Sequence, residues 1–193
     1  MPVINPANIT NLDNGRCDHL DVLSELFNSR VLMLSEGITP AVCSQLIANM
    51  LVLERKDPET PITLLVNSPG GDVYSGLGLI DVMRDLSCPV DTVGYGLVAS
   101  MASVILSCGR RRSAYPHTNI MLHQLITGTG MSQQTDISIA ATHAAELRSK
   151  LDEILAERMN LSADEVHELT ERDCWCDVNR ALELGVIDDV VGK

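Results

Sequence analysis

The run Ile62-Thr63-Leu64-Leu65-Val66 carries no charge and gives way to Ser68-Pro69-Gly70-Gly71. A continuous apolar run of this length marks a strand covered on both faces, and such strands belong to sheets packed between helices. The Gly-Gly turn that follows is a place where backbone can come close to a ligand. The same alternation recurs along the chain. Arg30 to Leu34, Val90 to Val93, Ile120 to Leu122 and Val186-Ile187 read as further strands. Between them lie a short helix over Asp21 to Phe27 and a helix capped by Thr39 that runs to Arg55, with apolar positions at Val42, Leu46, Ile47, Met50 and Leu53. A third helix covers Val73 to Leu86. Strands alternating with helices make the class α/β, with a mainly parallel sheet.

The second half of the chain has one unusual element. Thr135 to Met159 reads as a single amphipathic helix with a stripe at Ile137, Ala141, Ala144, Leu147, Leu151, Ile154 and Leu155. It is about twice the usual helix length. One small domain does not easily cover such a stripe, so the helix is expected to project toward another subunit. Ser162 to Glu165 forms a capping box for the next helix. Asp177 caps a last helix, closed by Gly185.

Bulk properties narrow the function classes. A chain of 193 residues suits one domain with a core, and 45% hydrophobic content excludes a disordered chain. Aromatics are only 3%, so Leu, Ile, Val, Ala and Met must build that core. A net charge of −12 repels phosphate backbones and anionic lipid, which argues against nucleic acid as a partner. The one dense basic run, Arg110-Arg111-Arg112, reads as a solvated loop or a subunit salt bridge. Six cysteines show no disulfide framework, and several sit in apolar patterns. Cys174-Trp175-Cys176 with His167 nearby lacks a fourth ligand at finger-like spacing and reads as a short strand, so no metal is expected. The first 18 residues, rich in Asn, Pro and Gly, read as a flexible arm without a signal peptide. No apolar run approaches the ~18 residues of a membrane span. A reducing cytoplasm is the expected location.

The stretch Gly96-Leu97-Val98-Ala99-Ser100-Met101-Ala102-Ser103 opens a helix and holds two hydroxyls. Taken alone it favours a packing role, since small residues let a helix press on a sheet. Its position suggests more. Gly70-Gly71, Ser100 and His123 each follow a core strand, on the carboxyl edge where open α/β sheets place their sites. A serine hydroxyl needs a base, an imidazole can serve near neutral pH, and a carboxylate must orient it. At a helix mouth the Met101 N–H can face a developing oxyanion, and the Gly-Gly turn offers a second donor. His123 alone ends an apolar strand; His19, His117, His143 and His167 lie in the arm, a loop or charged helices.

The ordered motifs Asn67-Ser68-Pro69-Gly70-Gly71, Ala99-Ser100-Met101-Ala102-Ser103, Pro116 with Ile120-Met121-Leu122-His123-Gln124, and Thr170-Glu171-Arg172-Asp173 resemble the proteolytic subunit of the Clp protease, the ClpP family of serine peptidases. Glu183-Leu184-Gly185-Val186-Ile187-Asp188 matches as well, and the likeness spans Asp21 to Val190. The resemblance implies a crotonase-like α/β head with a protruding handle helix. Residues 1–20 become an axial arm and 21–193 one peptidase domain, with the handle at about 124–159. It implies Ser100 as nucleophile, His123 as base and Asp173 as orienting acid. Gly71 and Met101 become oxyanion donors, and Gly70, Val73, Gln124, Leu125 and Ile126 substrate-binding residues. Glu171 and Arg172 become contacts between rings. Composition alone singles out none of the 26 acidic residues as the third member.

The same resemblance implies two stacked heptameric rings, fed with unfolded polypeptide by an AAA+ unfoldase that supplies the ATP. No cofactor is expected, and no GxxxxGK[ST] pattern occurs. Leu125 replaces the family's proline after His-Gln, and Thr63 and Leu65 replace aromatics of the unfoldase docking pocket. These departures admit a mixed complex with a second paralogue, in which this chain is a modulatory ring subunit. An acyl-CoA enzyme on the crotonase fold is the remaining alternative.

Overall fold

The computed structural model describes residues 8–11, 17–20 and 22–192, with side chains from residue 22 onward. In chain order the elements are β1 (Asn8–Asn11), β2 (Cys17–Leu20), α1 (Val22–Asn28), β3 (Val31–Leu34), α2 (Pro40–Lys56), β4 (Ile62–Ser68), α3 (Val73–Asp85) and β5 (Val90–Ala99). They continue with α4 (Met101–Ser107), β6 (Arg112–Ala114), β7 (Asn119–Leu122), α5 (Gln134–Ala156), α6 (Ala163–Leu169), β8 (Cys174–Cys176), α7 (Val178–Leu184) and β9 (Asp189–Val190).

The sheet runs β3-β4-β5-β6-β9, all parallel. The expected α/β class with a mainly parallel sheet is what the chain adopts. β5 is the hub. Its first half, Thr92 to Gly94, pairs with β6, and its second half, Leu97 to Ala99, pairs with β7. The change of neighbour falls at Gly94-Tyr95-Gly96. There the ladder with β4 slips register between Val66 and Ser68, and Asn67 Oδ1 accepts from Leu97 N at 3.0 Å. Gly96 sits at φ 65°, where a side chain would be strained. β5 is therefore a bent strand of 10 residues, whereas the sequence suggested an end at Val93. Two glycines and a polar tip hid the continuation from a reading based on apolar runs.

Burial along β4 alternates: Ile62, Leu64, Val66 and Ser68 are buried, while Thr63, Leu65 and Asn67 are partly exposed. β3 repeats this, with Val31 and Met33 partly exposed. The expectation of two covered faces is thus corrected. One face is packed and the other, though apolar at Leu65, Val31 and Met33, is only half covered within this chain. The packed face meets α2, α3 and α4 through fully buried Leu34, Met50, Leu53, Leu64, Leu79, Ile80, Ile105 and Leu106.

The helices follow their sequence signals. Thr39 caps α2 by accepting from Val42 N at 3.3 Å. Both halves of the Ser162–Glu165 capping box are formed. Asp177 caps α7, and Gly185 closes it at φ 74°. The final strand lies at Asp189–Val190, after the expected Val186-Ile187, because both latter side chains turn into the core after the left-handed Gly185. α5 has 23 residues, about 34 Å of helix. Its second half packs through Leu147 and Leu155, while Ile137 and Ile139 on the first half are 46% and 63% exposed.

Two further readings change. Arg110-Arg111-Arg112 is a solvated loop only in its first two residues: Arg110 and Arg111 are exposed, and they pair with Asp91 at 2.8 Å and Asp189 at 2.7 Å. Arg112 lies in β6, 7% exposed, donating to Arg158 O at 2.8 Å and also held by Asp188 and Gly185 O. The arm is not wholly irregular either. β1 and β2 pair antiparallel, with Asn8 opposite Leu20 and Asn11 opposite Cys17. The rest of the arm, and the side chains of Cys17 and His19, lie outside the described residues.

Candidate active site

Ser100 stands where β5 ends and α4 begins. Its backbone has φ 57° and ψ −130°, and only one other described non-glycine residue, Arg30, has a positive φ. Such a conformation costs about 1–3 kcal/mol and persists only when its surroundings enforce it. The enforcement is visible. Ser100 N donates to Met121 O at 2.9 Å, which fixes the turn to β7. Ser100 O accepts from Ser103 N at 2.9 Å, which starts the helix. From the other side, Gly70 presses on the turn. A Cβ there would lie 2.7 Å from Ala99 O, 2.7 Å from Ser100 Cβ and 3.1 Å from Met101 N. Only a glycine fits, and its φ of 92° adds the same requirement.

His123 follows the last residue of β7, with its side chain 13% exposed. Because β7 pairs with the end of β5, the imidazole is brought to the serine, and Nε2 lies 2.8 Å from Ser100 Oγ. On the other side of the ring, Nδ1 lies 3.5 Å from Asp173 Oδ1. The carboxylate arrives by topology. β8 runs antiparallel to β7 with Cys174 opposite Leu122, so the residue before β8 meets the residue after β7. Asp173 is 60% exposed, the least enclosed of the three groups.

The second serine has a different role. Ser103 is fully buried, and its Oγ lies 2.9 Å from Val98 O and 2.8 Å from Met121 O. It is more than the small packing residue that sequence suggested. It ties the ends of β5 and β7 together beneath Ser100.

Met101 opens α4, so its amide lies at the unpaired end of the helical ladder. Gly71 is exposed and held in place by a parallel bridge to Ile38, with Gly70 O accepting from Ile38 N at 2.8 Å and Asp72 N donating to Ile38 O at 2.9 Å. A cavity of about 300 Å³ opens beside these groups. Ser100, His123, Gly71, Val73, Gln124, Leu125 and Ile126 all line it, as do Met101, Val104, Leu151 and Leu155, which make much of its wall apolar. Gly70 is buried behind Ser100, where its carbonyl is already engaged by Ile38.

Sequence reasoning missed the floor of this cavity. Arg148 and Asp152 reach it from α5, and Thr170 from the end of α6. Arg148 Nη1 donates to Gln124 Oε1 at 2.9 Å, and Nη2 donates to Glu171 Oε2 at 2.9 Å and to His167 O at 3.0 Å. Gln124 in turn donates from its backbone N to Thr170 O at 2.7 Å and from Nε2 to Glu171 O at 2.9 Å. Asp152, 5% exposed, lies 2.7 Å from His167 Nδ1. The hydrogen bond from Arg148 holds the Glu171 carboxyl below its ordinary range. Gln124 and Glu171 are thus parts of a brace that fixes the 170–173 segment, whereas Arg172 projects with 88% of its side chain exposed. The available signal was Asp152, a charge set between Leu151 and Leu155 on the apolar stripe.

Elsewhere, His143 stacks on Tyr74, with Tyr74 Oη 2.6 Å from its Nε2. Cys174-Trp175-Cys176 forms the expected short strand, with Trp175 exposed and Cys176 buried.

Fold and site together define an α/β protein whose sheet edge presents a strained serine hydroxyl to an imidazole, beside an apolar cavity. Such an arrangement can support nucleophilic attack on an acyl group. Comparison with known proteins narrows the class. The Clp protease family model matches residues 14–193. The "ATP-dependent Clp protease proteolytic subunit 2" of Parasynechococcus marenigrum (strain WH8102) is 38% identical over 184 residues, which cover 94% of this chain and 93% of that protein. The "ATP-dependent Clp protease proteolytic subunit" of Streptococcus pneumoniae (strain 70585) is 38% identical over 176 residues, 90% of each chain. The chain belongs to the Clp protease family.

Proposed function

We propose that the protein is a serine endopeptidase and a proteolytic subunit of a Clp-type protease, with Ser100, His123 and Asp173 as its triad. The observation that carries this reading is the 2.8 Å approach of His123 Nε2 to Ser100 Oγ, with Asp173 on the opposite ring nitrogen. His123 takes the hydroxyl proton as Ser100 Oγ attacks the peptide carbonyl carbon. The amides of Gly71 and Met101 receive the negative charge on the carbonyl oxygen. His123 then returns the proton to the leaving amine, and water releases the acyl group by the reverse sequence. Asp173 orients the imidazole and stabilises its charged form. Val73, Leu125 and Ile126 line the cavity that takes the substrate side chain, and Gly70 contributes by holding the turn.

Residues 21–193 form the peptidase domain, about 124–159 its handle and 1–20 an axial arm. Self-assembly into two stacked seven-membered rings, alone or with a paralogue, accounts for the exposed Ile137 and Ile139 on a helix that leaves the head. Glu171 and Arg172 are the contacts between rings. An AAA+ unfoldase supplies unfolded polypeptide, as the relatives' name "ATP-dependent" suggests. Among the described residues no helix is long and apolar enough to cross a membrane. Their five cysteines are free thiols, which suits a reducing cytoplasm.

The test uses the purified full chain, a fluorophosphonate probe and a fluorogenic peptide. Wild type should label at Ser100 and turn over peptide, and Ser100→Ala should do neither. Labelling that survives this substitution refutes the assignment.

A further inference from the structure

Cys174 and Cys176 lie two residues apart on β8, so both side chains stand on one face of the strand. Their sulfurs are 3.8 Å apart. Cys174 is partly exposed and Cys176 is buried. Cys174 immediately follows Asp173 and pairs with Leu122, the residue before His123. The dithiol is therefore wired by backbone to two members of the proposed triad, and the catalytic reading gives it no task. We infer that Cys174 and Cys176 form a modification site for disulfide oxidants of the glutathione class, which convert the pair to an intramolecular disulfide and lower peptidase activity.

The chemistry balances with one oxidant molecule. The Cys174 thiolate attacks one sulfur of oxidised glutathione, its S–S bond breaks, and one glutathione leaves as thiolate. The Cys176 sulfur, on losing its proton, attacks the resulting mixed disulfide and expels the second glutathione. The protein loses two electrons and two protons overall, and the oxidant becomes two thiols. Order of attack follows access: Cys174 is reached first and Cys176 resolves. Burial, with the neighbouring Cys174 adding to it, pushes the Cys176 thiol up to about 12, consistent with a resolving rather than an attacking role.

Geometry supplies the coupling to activity. Residues i and i+2 of an extended strand have Cα atoms roughly 6.6 Å apart, near the upper limit of about 6.8 Å for a disulfide. Closing the sulfurs from 3.8 Å to about 2.05 Å draws the two Cα atoms together and puckers β8. The ladder from Ile120↔Cys176 to Leu122↔Cys174 then loses register, and Asp173 moves with it. Asp173 is already the loosest triad member, at 3.5 Å, so a further displacement removes its hold on His123.

This inference rests on the proposed triad for its effect on activity, but not for the modification itself. The experiment therefore reads both. Reduced full-length protein is incubated with graded oxidised glutathione, free thiols are alkylated, and the protein is digested with trypsin. The peptide Asp173–Arg180 holds both cysteines. It should lose about 2 Da and escape alkylation. Peptide turnover should fall in step by up to about a hundredfold, the effect of an ångström-scale misplacement. Dithiothreitol should restore both. Cys174→Ser should show neither the mass loss nor the inhibition, and Cys174→Ala provides a second background. Full alkylation of both cysteines under excess oxidant overturns the site. A peptide that stops at the glutathione adduct overturns the internal disulfide. Equal inhibition of wild type and both Cys174 variants overturns the coupling. An inactive wild type that still loses 2 Da, about the mass of two hydrogens, would contradict the proposed function and leave the modification site standing.

Discussion

Replacing Gly70 with alanine isolates the part of the site that no side chain provides. The new Cβ would meet Ala99 O and Ser100 Cβ at 2.7 Å each and Met101 N at 3.1 Å. All of these are backbone or backbone-proximal atoms with no flexible end to swing away. The residue also sits at φ 92°, a conformation costing an L side chain about 1–3 kcal/mol. Overpacking adds about 1–3 kcal/mol, so the folded state loses about 2–6 kcal/mol in all. For a chain of this size each kcal/mol moves Tm by about 2–4 °C, so a fall of roughly 10 °C is expected. Strain is relieved most directly by pushing the Ser100–Met101 peptide away from β4. That retracts the hydroxyl from His123, and a shift of about 1 Å costs roughly a hundredfold in turnover. The assay pairs scanning calorimetry with peptide turnover and fluorophosphonate labelling rate on the folded fraction. Gly78→Ala is the control: it lies in α3 with no heavy atom within 4 Å of the new Cβ, and should raise stability by about 0.5–1 kcal/mol. A Gly70→Ala protein with unchanged turnover per folded molecule would refute the claim that this glycine holds Ser100 in place.

The two serines of the strand-to-helix turn should separate cleanly. Ser103→Ala should keep fluorophosphonate labelling at Ser100 within a few fold while lowering stability by about 1–2 kcal/mol, because the Val98 and Met121 carbonyls lose a buried donor. Loss of labelling in a protein with an unchanged melt would contradict that division. The Arg112–Asp188 pair gives a pH signature. Burial pushes the Asp188 carboxyl up, but hydrogen bonds and charge from Arg112, with help from Arg158, outweigh it and hold the group below its ordinary value. A depressed folded pKa means the stabilisation is fully present above the unfolded value of about 3.9 and is lost as pH falls through the folded value. The gap in urea midpoint between wild type and Asp188→Asn should be widest near neutrality and close below about pH 4; a gap independent of pH would contradict the assignment.

Legibility in the sequence divided along physical lines. Local signals carried well: the Thr39 and Asp177 caps, the Ser162–Glu165 box and the Gly185 stop are written in residues adjacent to the groups they satisfy. The helix over residues 134–156 was legible because its stripe repeats over many turns. β5 was truncated because Gly94, Tyr95 and Gly96 interrupt its apolar pattern where the strand changes partners, a feature set by neighbours distant in sequence. β6 was hidden because Arg112 is a buried cation. Its acceptors come from residues 158, 185 and 188, and no local pattern announces them. At the site, Ser100, His123 and the Gly-Gly turn could be placed on one edge from their positions after strands. Asp173 could not, since only the antiparallel pairing of β7 and β8 brings it to His123.

That difference in origin carries through to how firmly each group is held. Ser100 and His123 are fixed by parallel pairing in the middle of the sheet, by the Ser103 tie and by the pressure of Gly70. Asp173 hangs from a strand of three residues at the margin, exposed, and at ion-pair rather than hydrogen-bond distance. What steadies it is the brace from Arg148 through Gln124 and Glu171, and Arg148 belongs to the long helix. Ser100 is thus tied to the sheet, while Asp173, and His123 through its neighbour Gln124, are also tied to the second half of α5. A force that shifts α5 reaches the carboxylate before it reaches the serine. The alignment of Asp173 on His123 is therefore the step of the geometry most open to control from outside the site. Oxidation at Cys174 and Cys176 acts on the same residue from its other side.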